Sequence, residues 1–307
     1  MEIEKDQVCI LIPTLNEAPT IRDLVRAFRD RGYRRILVMD GNSTDGTAAR
    51  AEEAGAEVRL QSGKGKGNAV IEAAGIIDLP YVLMLDGDGT YLPEDAEKML
   101  LPLFSGFDHV IGNRLAFPDS RAFTRLNLTG NHLINHFFRL AHGRDLSDIL
   151  SGYRAFTLRS LREMNLREAG FEIETEMAVQ AVNLNQQIAV VPVRYLERPG
   201  TPTKLHPLQD GMRILSAIYR FAKTNNPLFY FGLIGACLTL AGGVLAIYVL
   251  VEWLNHIEHI PLTILTVLLI MVGIEIFMFG VIGDMLLAFH REVVREIQRM
   301  QPPKKPE

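Results

Sequence analysis

Two carboxylates follow a short apolar segment in the stretch "YVLMLDGDGTYLP", residues 81–93. Asp86 and Asp88 stand two positions apart, with glycine between and after them. Mg²⁺ and Mn²⁺ prefer oxygen ligands and often use only one or two protein carboxylates together with phosphate oxygens. The pair fits a divalent-metal site at a diphosphate, and it fits equally an acidic turn at the end of a strand.

A calcium loop of the EF-hand type is a third interpretation of the same stretch. Its ligand spacing is matched by Asp86, Asp88, Thr90 and Glu97. However, Tyr91 stands where that loop requires glycine, and a strand precedes the motif where a helix should lie. The sequence therefore argues against an EF-hand.

Three other polar, glycine-rich segments could contribute to the same chemistry. They are "PTLNEA" with Pro13, Asn16 and Glu17, "DGNSTDGT" with Asp40 and Asp45, and "SGKGKGNA" with Lys64 and Lys66. Each alone could be turn or helix-cap chemistry. Together they supply groups for nucleoside hydroxyls and, in the lysine segment, backbone N–H groups and cations for phosphate. The combination predicts a nucleotide-diphosphate pocket with a metal.

The elements that must position these segments alternate between short apolar strands and helices. Strands are predicted at 8–12, 36–39, 58–60 and 81–85, which indicates an α/β domain with a mainly parallel sheet over residues 1–206. Ligands of open α/β sheets bind outside the carboxyl ends of the strands. We therefore expect the four polar segments to line one cleft.

Composition restricts the class of protein. The net charge of −4 over 307 residues argues against nucleic acid as the main partner. Cys9 and Cys237 lie in widely separated apolar segments, so neither a disulfide framework nor a zinc pattern is expected. The first residues, "MEIEKDQV", are acidic where a secretory signal would be basic, and the N-terminus is expected to stay in the cytoplasm.

Two long apolar segments predict a transmembrane hairpin at 227–290, with spans at about 228–251 and 262–283. The link at 252–261 contains no Lys or Arg, whereas basic residues precede the first span and follow the second. The positive-inside rule then places the domain, both termini and a tail at 291–307 in the cytoplasm. Residues 207–226 predict an amphipathic helix, either in the membrane interface or packed on the domain.

The spans carry one ionisable group and several glycines. Glu275 falls inside the second span, where a carboxyl group is costly unless it meets a partner, a helix interface or water. The first span contains Gly232, Gly235, Gly242 and Gly243. Small residues allow close helix packing, either between the two spans or between subunits of a homo-oligomer.

The segments "IPTLNEA", "DGNSTDGT", "GKGKGNA", "LDGDGTY", "GNR" and "SGYRAF", in this order and before two spans, resemble family-2 glycosyltransferases with a GT-A fold. More narrowly, residues 7–290 resemble the dolichyl- or polyprenyl-phosphate hexose synthases, in the style of archaeal dolichyl-phosphate glucose or mannose synthases. The resemblance implies inverting transfer of a hexose from a nucleotide-diphosphate sugar to dolichyl or polyprenyl phosphate. The product would serve N-glycosylation or surface-glycan synthesis.

The resemblance also implies roles for residues. Asn16, Glu17 and Asp40 would hold the nucleoside, and Asp86 and Asp88 would hold Mg²⁺ or Mn²⁺. The groups implied for the lipid phosphate are Arg114 and Arg125, with Arg154, Arg198 and Lys204 as further candidates. Some relatives have a glutamine as a further metal ligand at the position of Thr90, which leaves the third protein ligand open.

The acceptor decides how the remaining acidic residues are interpreted. A phosphate monoester is already largely ionised near pH 7, so its oxygen can attack without a strong general base. The acidic candidates are Asp148, Glu172, Glu174 and Glu176. Asp148 or Glu172 would instead orient sugar hydroxyls or the arginines, with Glu172 preferred, while "FEIET" could also be a strand with alternating exposed charge.

Two other functions compete with this interpretation. A processive polysaccharide synthase usually has more spans and a QxxRW motif, and here the only tryptophan, Trp253, lies between the spans. A non-catalytic membrane protein that binds nucleotide-sugar is the second alternative. For the donor, UDP-glucose or UDP-N-acetylglucosamine is favoured over GDP-mannose.

Overall fold

A computed structural model describes residues 3–119, 121–170, 172–199 and 207–300. The chain divides into two compact units. The first, here called the sheet unit, comprises Met1–Arg139 and Gly143–Ile218. The second, the hairpin unit, comprises Leu140–His142 and Tyr219–Glu307.

The sheet unit is built on a seven-stranded sheet. Its strands are β1 (Val8–Thr14), β2 (Arg35–Asp40), β3 (Glu57–Leu60), β4 (Tyr81–Met84), β5 (His109–Asn113), β6 (Arg154–Thr157) and β7 (Ile188–Pro192). The order across the sheet is β3-β2-β1-β4-β6-β5-β7, and β6 alone runs antiparallel to its neighbours. Strand β1 pairs in parallel with β2 and β4, which brings the carboxyl ends of these three strands to one edge.

The described residues of the two units form ten α-helices. They are α1 (Ile21–Asp30), α2 (Thr47–Glu53), α3 (Lys66–Ile76), α4 (Ala96–Phe104), α5 (Arg125–His142), α6 (Leu158–Glu163), α7 (Ile173–Asn183), α8 (Pro207–Asn225), α9 (Pro227–Leu254) and α10 (Ile260–Met300).

Helices cover both faces of the sheet and create two cores. All seven residues of β1 are buried, as an apolar central strand requires when it packs on both sides. On one face Ile10 lies in a cluster with Phe28 of the amphipathic helix α1. On the other face Leu11 lies in a cluster with Val70 of α3. The predicted mainly parallel α/β layering is confirmed.

The four predicted strands form within two residues of their predicted ends, whereas the segment "FEIET" differs from its alternative interpretation. Helix α7 begins at Ile173, with Glu172 at its N-cap. Glu174, Thr175 and Glu176 are all buried, so a strand with alternating exposed charge was the wrong interpretation for this segment.

Helices α9 and α10 make up most of the hairpin unit. Pro227–Leu254 and Ile260–His290 are each long and apolar enough to cross a membrane. A Cβ atom on Gly235 would lie 2.5 Å from the carbonyl oxygen of Gly273, and one on Gly242 would lie 2.7 Å from Ile270 Cγ1. These glycines therefore permit close packing between the two helices. Gly243, in contrast, has no neighbour within 4 Å.

Candidate active site

The loops after β1 and β2 are joined by side chain to backbone hydrogen bonds. The Asn16 N–H donates to Ser43 Oγ at 2.8 Å, and the Thr44 N–H donates to Asn16 Oδ1 at 2.9 Å. Asn16 has φ +53°, a left-handed conformation that asparagine tolerates better than most residues. Asn16 therefore fixes one wall of the cleft at the carboxyl edge of the sheet.

Two aspartates after β2 stabilise the same loops. Asp40 is buried and accepts hydrogen bonds from the N–H and the hydroxyl of Ser43. Asp45 accepts N–H bonds from Ala18 and Thr47, both at 3.0 Å. Desolvation raises the pKa of Asp45, but the hydrogen bonds from Thr47 and Ala18 outweigh it and bring the pKa below its ordinary value. Nucleotide binding by either aspartate stays a prediction.

Thr90 holds the carboxylate of Asp88, the second member of the Asp86–Asp88 pair. Its N–H and its hydroxyl donate to Asp88 Oδ1 at 3.1 and 2.6 Å. Burial, and then the charge of Asp86, raises the pKa of Asp88, while the Thr90 hydrogen bonds act in the opposite direction. Since the Thr90 hydroxyl is turned toward Asp88 and is buried, Thr90 positions that carboxylate.

The pair fits a divalent cation that also takes ligands from a diphosphate. Asp86 Oδ2 has no hydrogen-bond partner among the described residues, and Asp88 Oδ2 lies 3.7 Å from Arg198 Nε. Over the described ranges, no group of three His, Cys, Asp or Glu side chains is arranged to hold a metal. Two carboxylates completed by phosphate oxygens and water form a usual Mg²⁺ or Mn²⁺ site.

Lys66 contacts Asp86 Oδ1 and Glu174 Oε1 at the same time. Burial lowers the pKa of Lys66, but the two carboxylates outweigh it and raise the pKa, so the ammonium group stays charged. Sequence reasoning placed Glu174 only among several acidic candidates. The contact between Glu174 and Lys66 forms only because the N-terminal part of α7 lies beside the start of α3. No local sequence pattern predicts this.

Two glycines beside Lys66 allow a close approach of the backbone to the segment before α7. A Cβ atom would lie 2.3 Å from the carbonyl oxygen of Ala169 at Gly65, and 1.9 Å from that of Glu168 at Gly67. The Gly67 N–H donates to Ala169 O at 2.8 Å. These glycines let the loop pack against residues 168–170, and the Gly67 N–H is not available to phosphate. Lys64 is exposed.

Arg198 is the second cation, after Lys66, beside the Asp86–Asp88 pair. Its guanidinium group contacts Glu17 Oε1 and lies 3.7 Å from Asp88 Oδ2, so the loop after β1 and the loop after β4 share one arginine. The Leu196 N–H donates to Thr90 O at 2.9 Å and holds this segment beside the cleft. Lys204 lies outside the described residues.

Arg114 and Asp148 form a buried bidentate ion pair. Arg114 Nε and Nη2 each donate to an Asp148 carboxylate oxygen at 2.8 Å, and the Arg114 N–H donates to Oδ2 at 3.0 Å. The guanidinium group also lies over the ring of Tyr195, 5.3 Å from its centroid. Arg114 Nη1 has no hydrogen-bond acceptor among the described residues. Asp148 thus orients Arg114, one of the roles expected for it.

The fully buried position of Arg154 overturns its expected phosphate contact. Its guanidinium group donates to the carbonyl oxygens of Ser151, Ile149 and Glu174 at 2.9, 2.6 and 2.9 Å. Burial lowers the pKa of Arg154 to about 10. A guanidinium group enclosed by carbonyls cannot reach a lipid phosphate, so Arg154 has a structural role.

The remaining predicted residues lie apart from the carboxylate pair. Arg125 is exposed in the first turn of α5, and Glu172 is half-buried at the N-cap of α7. Pro13 is buried in β1. No hydrogen bond or ion pair among the described residues joins these three to Asp86 or Asp88.

Comparison with known proteins identifies a family and relatives of this chain. Residues 9–164 match the family model described as "Glycosyl transferase family 2". The chain is 51% identical over 299 residues to glycosyltransferase AglJ of Haloferax volcanii, which covers 96% of this chain and 99% of that protein. It is 31% identical over 218 residues to a dolichyl-phosphate hexose transferase of the same species, covering 70% and 93%.

Solved structures share the architecture of the sheet unit. Glucosyl-3-phosphoglycerate synthase from Mycobacterium tuberculosis, in complex with Mn²⁺, UDP-glucose and phosphoglyceric acid, superposes with a TM-score of 0.57 at 20% identity over 70% of this chain and 79% of that chain. Mannosyl-3-phosphoglycerate synthase from Rubrobacter xylanophilus gives 0.53 at 26% identity over 70% and 72%. These matches confirm the predicted GT-A fold.

Proposed function

The chain belongs to glycosyl transferase family 2, and from this premise we propose that it transfers a hexose from a nucleotide-diphosphate sugar to dolichyl phosphate or another polyprenyl phosphate. One observation carries the proposal. Asp86 and Asp88 lie at the carboxyl edge of the sheet with the cations Lys66 and Arg198 beside them. Carboxylates for a metal and cations for phosphate thus meet in one cleft.

Asp86 and Asp88 would hold Mg²⁺ or Mn²⁺. When bound there, the metal would neutralise charge that develops on the diphosphate leaving group. One relative of this fold was solved with Mn²⁺ and UDP-glucose, which supports a uridine donor here. UDP-glucose and UDP-N-acetylglucosamine are the first donors to test, followed by GDP-mannose.

Arg114 is the residue best placed to receive the phosphate of the acceptor. Asp148 occupies the Nε–Nη2 edge of its guanidinium group and leaves Nη1 for a further anion. Bidentate anchoring of this kind pre-organises arginine for phosphate. Arg125 and Arg198 are the remaining candidates in the described chain, and Lys204 stays a prediction.

The buried carboxylates of the sheet unit already have partners, which agrees with an acceptor that needs no general base. Asp148 pairs with Arg114, and Glu174 with Lys66. Glu176 accepts the N–H groups of Arg167 and Glu168 at 2.8 to 3.1 Å. An ionised phosphate monoester can attack the anomeric carbon with inversion without a proton acceptor among them.

The hairpin unit would anchor the enzyme in the cell membrane with the catalytic domain in the cytoplasm. The distribution of Lys and Arg around the spans supports this orientation. Glu275 is exposed on α10, and a second copy of the chain would cover it within the bilayer. A monodisperse monomer in mild detergent, measured by light scattering, would contradict the oligomer.

A lipid-labelling assay tests the proposed activity. Membranes that contain the protein are incubated with dolichyl phosphate, Mg²⁺ and each radiolabelled donor in turn, and lipid-linked sugar is extracted. We expect one labelled monosaccharide lipid from one donor, and Asp88→Ala membranes serve as the control. Products of growing length would indicate a processive synthase. No labelled product from any donor would leave only the non-catalytic binding protein.

A further inference from the structure

The two partners of Lys66 differ in how firmly they are held. The Glu174 side chain is 7% exposed, and the Glu174 carbonyl accepts a hydrogen bond from the buried Arg154 at 2.9 Å. The Asp86 side chain is 30% exposed and belongs to the loop after β4. Lys66 therefore joins one carboxylate fixed in the core to one that opens to the cleft.

Asp86 is also half of the carboxylate pair that fits a divalent cation. Its Oδ1 atom is in contact with the Lys66 ammonium group, and a metal on Asp86 would bring a second positive charge close to that group. Like charges repel strongly in a partly buried site. Lys66 has a flexible four-carbon side chain with three donor hydrogens, so it can change one partner while keeping another.

We propose that Lys66 is an internal counter-ion of Asp86 that moves to the donor's diphosphate when metal and diphosphate bind, with Glu174 as the positioning residue that retains it. This inference rests on the proposed function. Before binding, Lys66 competes with the metal for Asp86. Once diphosphate accepts the ammonium group, the competition ends, so metal and diphosphate strengthen each other's binding by the same factor.

Gly152 lies directly beside the ion pair of Asp86 and Lys66. A Cβ atom at this position would lie 2.3 Å from Asp86 Oδ2 and 2.8 Å from Lys66 Nζ. The backbone of the segment after Asp148 thus closes one side of the ion pair. Both charged groups are confined to a small volume beside the cleft, where they must respond to a new cation together.

Manganese titration of the full-length chain in detergent tests the exchange, with free Mn²⁺ followed by electron paramagnetic resonance. The informative variant is Lys66→Met with Glu174→Gln, because it removes one charge of each sign and leaves the local charge unchanged. Without nucleotide we expect it to bind Mn²⁺ about tenfold more tightly than the wild type, as a freed charge-assisted contact predicts. Glu174→Gln alone should weaken Mn²⁺ binding, because Lys66 then keeps only Asp86.

Nucleotide coupling is the second readout. UDP, and GDP as a second probe, should tighten Mn²⁺ binding to the wild type by a factor about tenfold larger than in the double variant. Lys64→Met is the matched control for the titration without nucleotide, since it removes the same charge from an exposed position in the same loop and should shift Mn²⁺ affinity less than about twofold.

Equal Mn²⁺ affinities in the wild type and the double variant would overturn the inference, as would an unchanged coupling factor. A thermal melt of each variant verifies folding, and Lys66→Arg replaces the double variant if that chain does not fold. Arginine keeps the positive charge and is larger than lysine beside Asp86, so Lys66→Arg should bind Mn²⁺ more weakly than the wild type does. Binding of Mn²⁺ alone needs neither sugar donor nor lipid, so this result is independent of the lipid-labelling assay.

Discussion

Arg154 and Lys66 are both enclosed cations of the sheet unit, yet they are held by different kinds of partner. Arg154 donates to three neutral carbonyl oxygens and is fully buried. Lys66 contacts two carboxylates, one of which faces the cleft. A cation held by backbone carbonyls is part of the scaffold, whereas a cation held by site carboxylates can exchange them for an incoming anion.

Removal of a cleft carboxylate should have the largest effect of any change in this comparison. Asp88→Ala is expected to lower the rate of transfer by about 10²- to 10³-fold, because the leaving group loses its charge stabilisation. The rate of lipid labelling measures this, and circular dichroism with membrane fractionation should show a folded, membrane-bound protein. Full activity would remove the metal assignment.

Arg154→Met should act on stability in the first place. It leaves the buried carbonyl oxygens of Ser151 and Ile149 without a donor, and each unsatisfied buried group costs about 1–3 kcal/mol. The free energy of unfolding in urea should fall by several kcal/mol. The KM for the sugar donor, measured on the folded fraction, should change less than about twofold; a large increase with unchanged stability would place Arg154 in the site after all.

Asp148→Asn tests the role of the ion pair that orients Arg114. The amide keeps the shape but loses the charge, and hydrogen bonds to charged groups contribute about 1.5–3 kcal/mol. The KM for dolichyl phosphate should rise about tenfold or more, with the KM for the sugar donor nearly unchanged. An equal rise in both constants would contradict a specific role of Arg114 at the acceptor phosphate.

Asp45 should show the smallest effect, because it is exposed and accepts hydrogen bonds only from the N–H and hydroxyl of Thr47 and the N–H of Ala18 among the described residues. Its pKa is below the ordinary value, so its contribution to stability is complete above pH 3.8 and is lost as the pH falls through the folded-state pKa. Asp45→Asn should lower stability by about 1 kcal/mol at pH 7. Below pH 3.8 the two proteins should converge, and a constant difference in melting temperature would contradict this.

Local patterns were enough for part of the site. The strands around β1, the acidic pair after β4 and the two apolar helices follow from hydrophobic periodicity and from turn residues at strand ends. The role expected for Arg154 was wrong and that for Gly67 was incomplete, because Arg154 is enclosed by carbonyls from as far as Glu174, 20 residues along the chain, and Gly67 packs against Glu168 and Ala169. Residue types show which groups can bind phosphate, but not which of them already bind other groups of the protein.

The sequence by itself determined the family, the GT-A layering and the presence of Asp86 and Asp88 at the carboxyl edge, because motif order and strand pattern are local properties of the chain. Only the tertiary structure decided that Glu174 meets Lys66, that Asp148 fixes Arg114 and that Arg154 is withdrawn from the cleft. The physical reason is that burial and pairing of charges depend on contacts between separate segments, and those contacts exist only once β6 has joined the sheet and α7 has packed beside it.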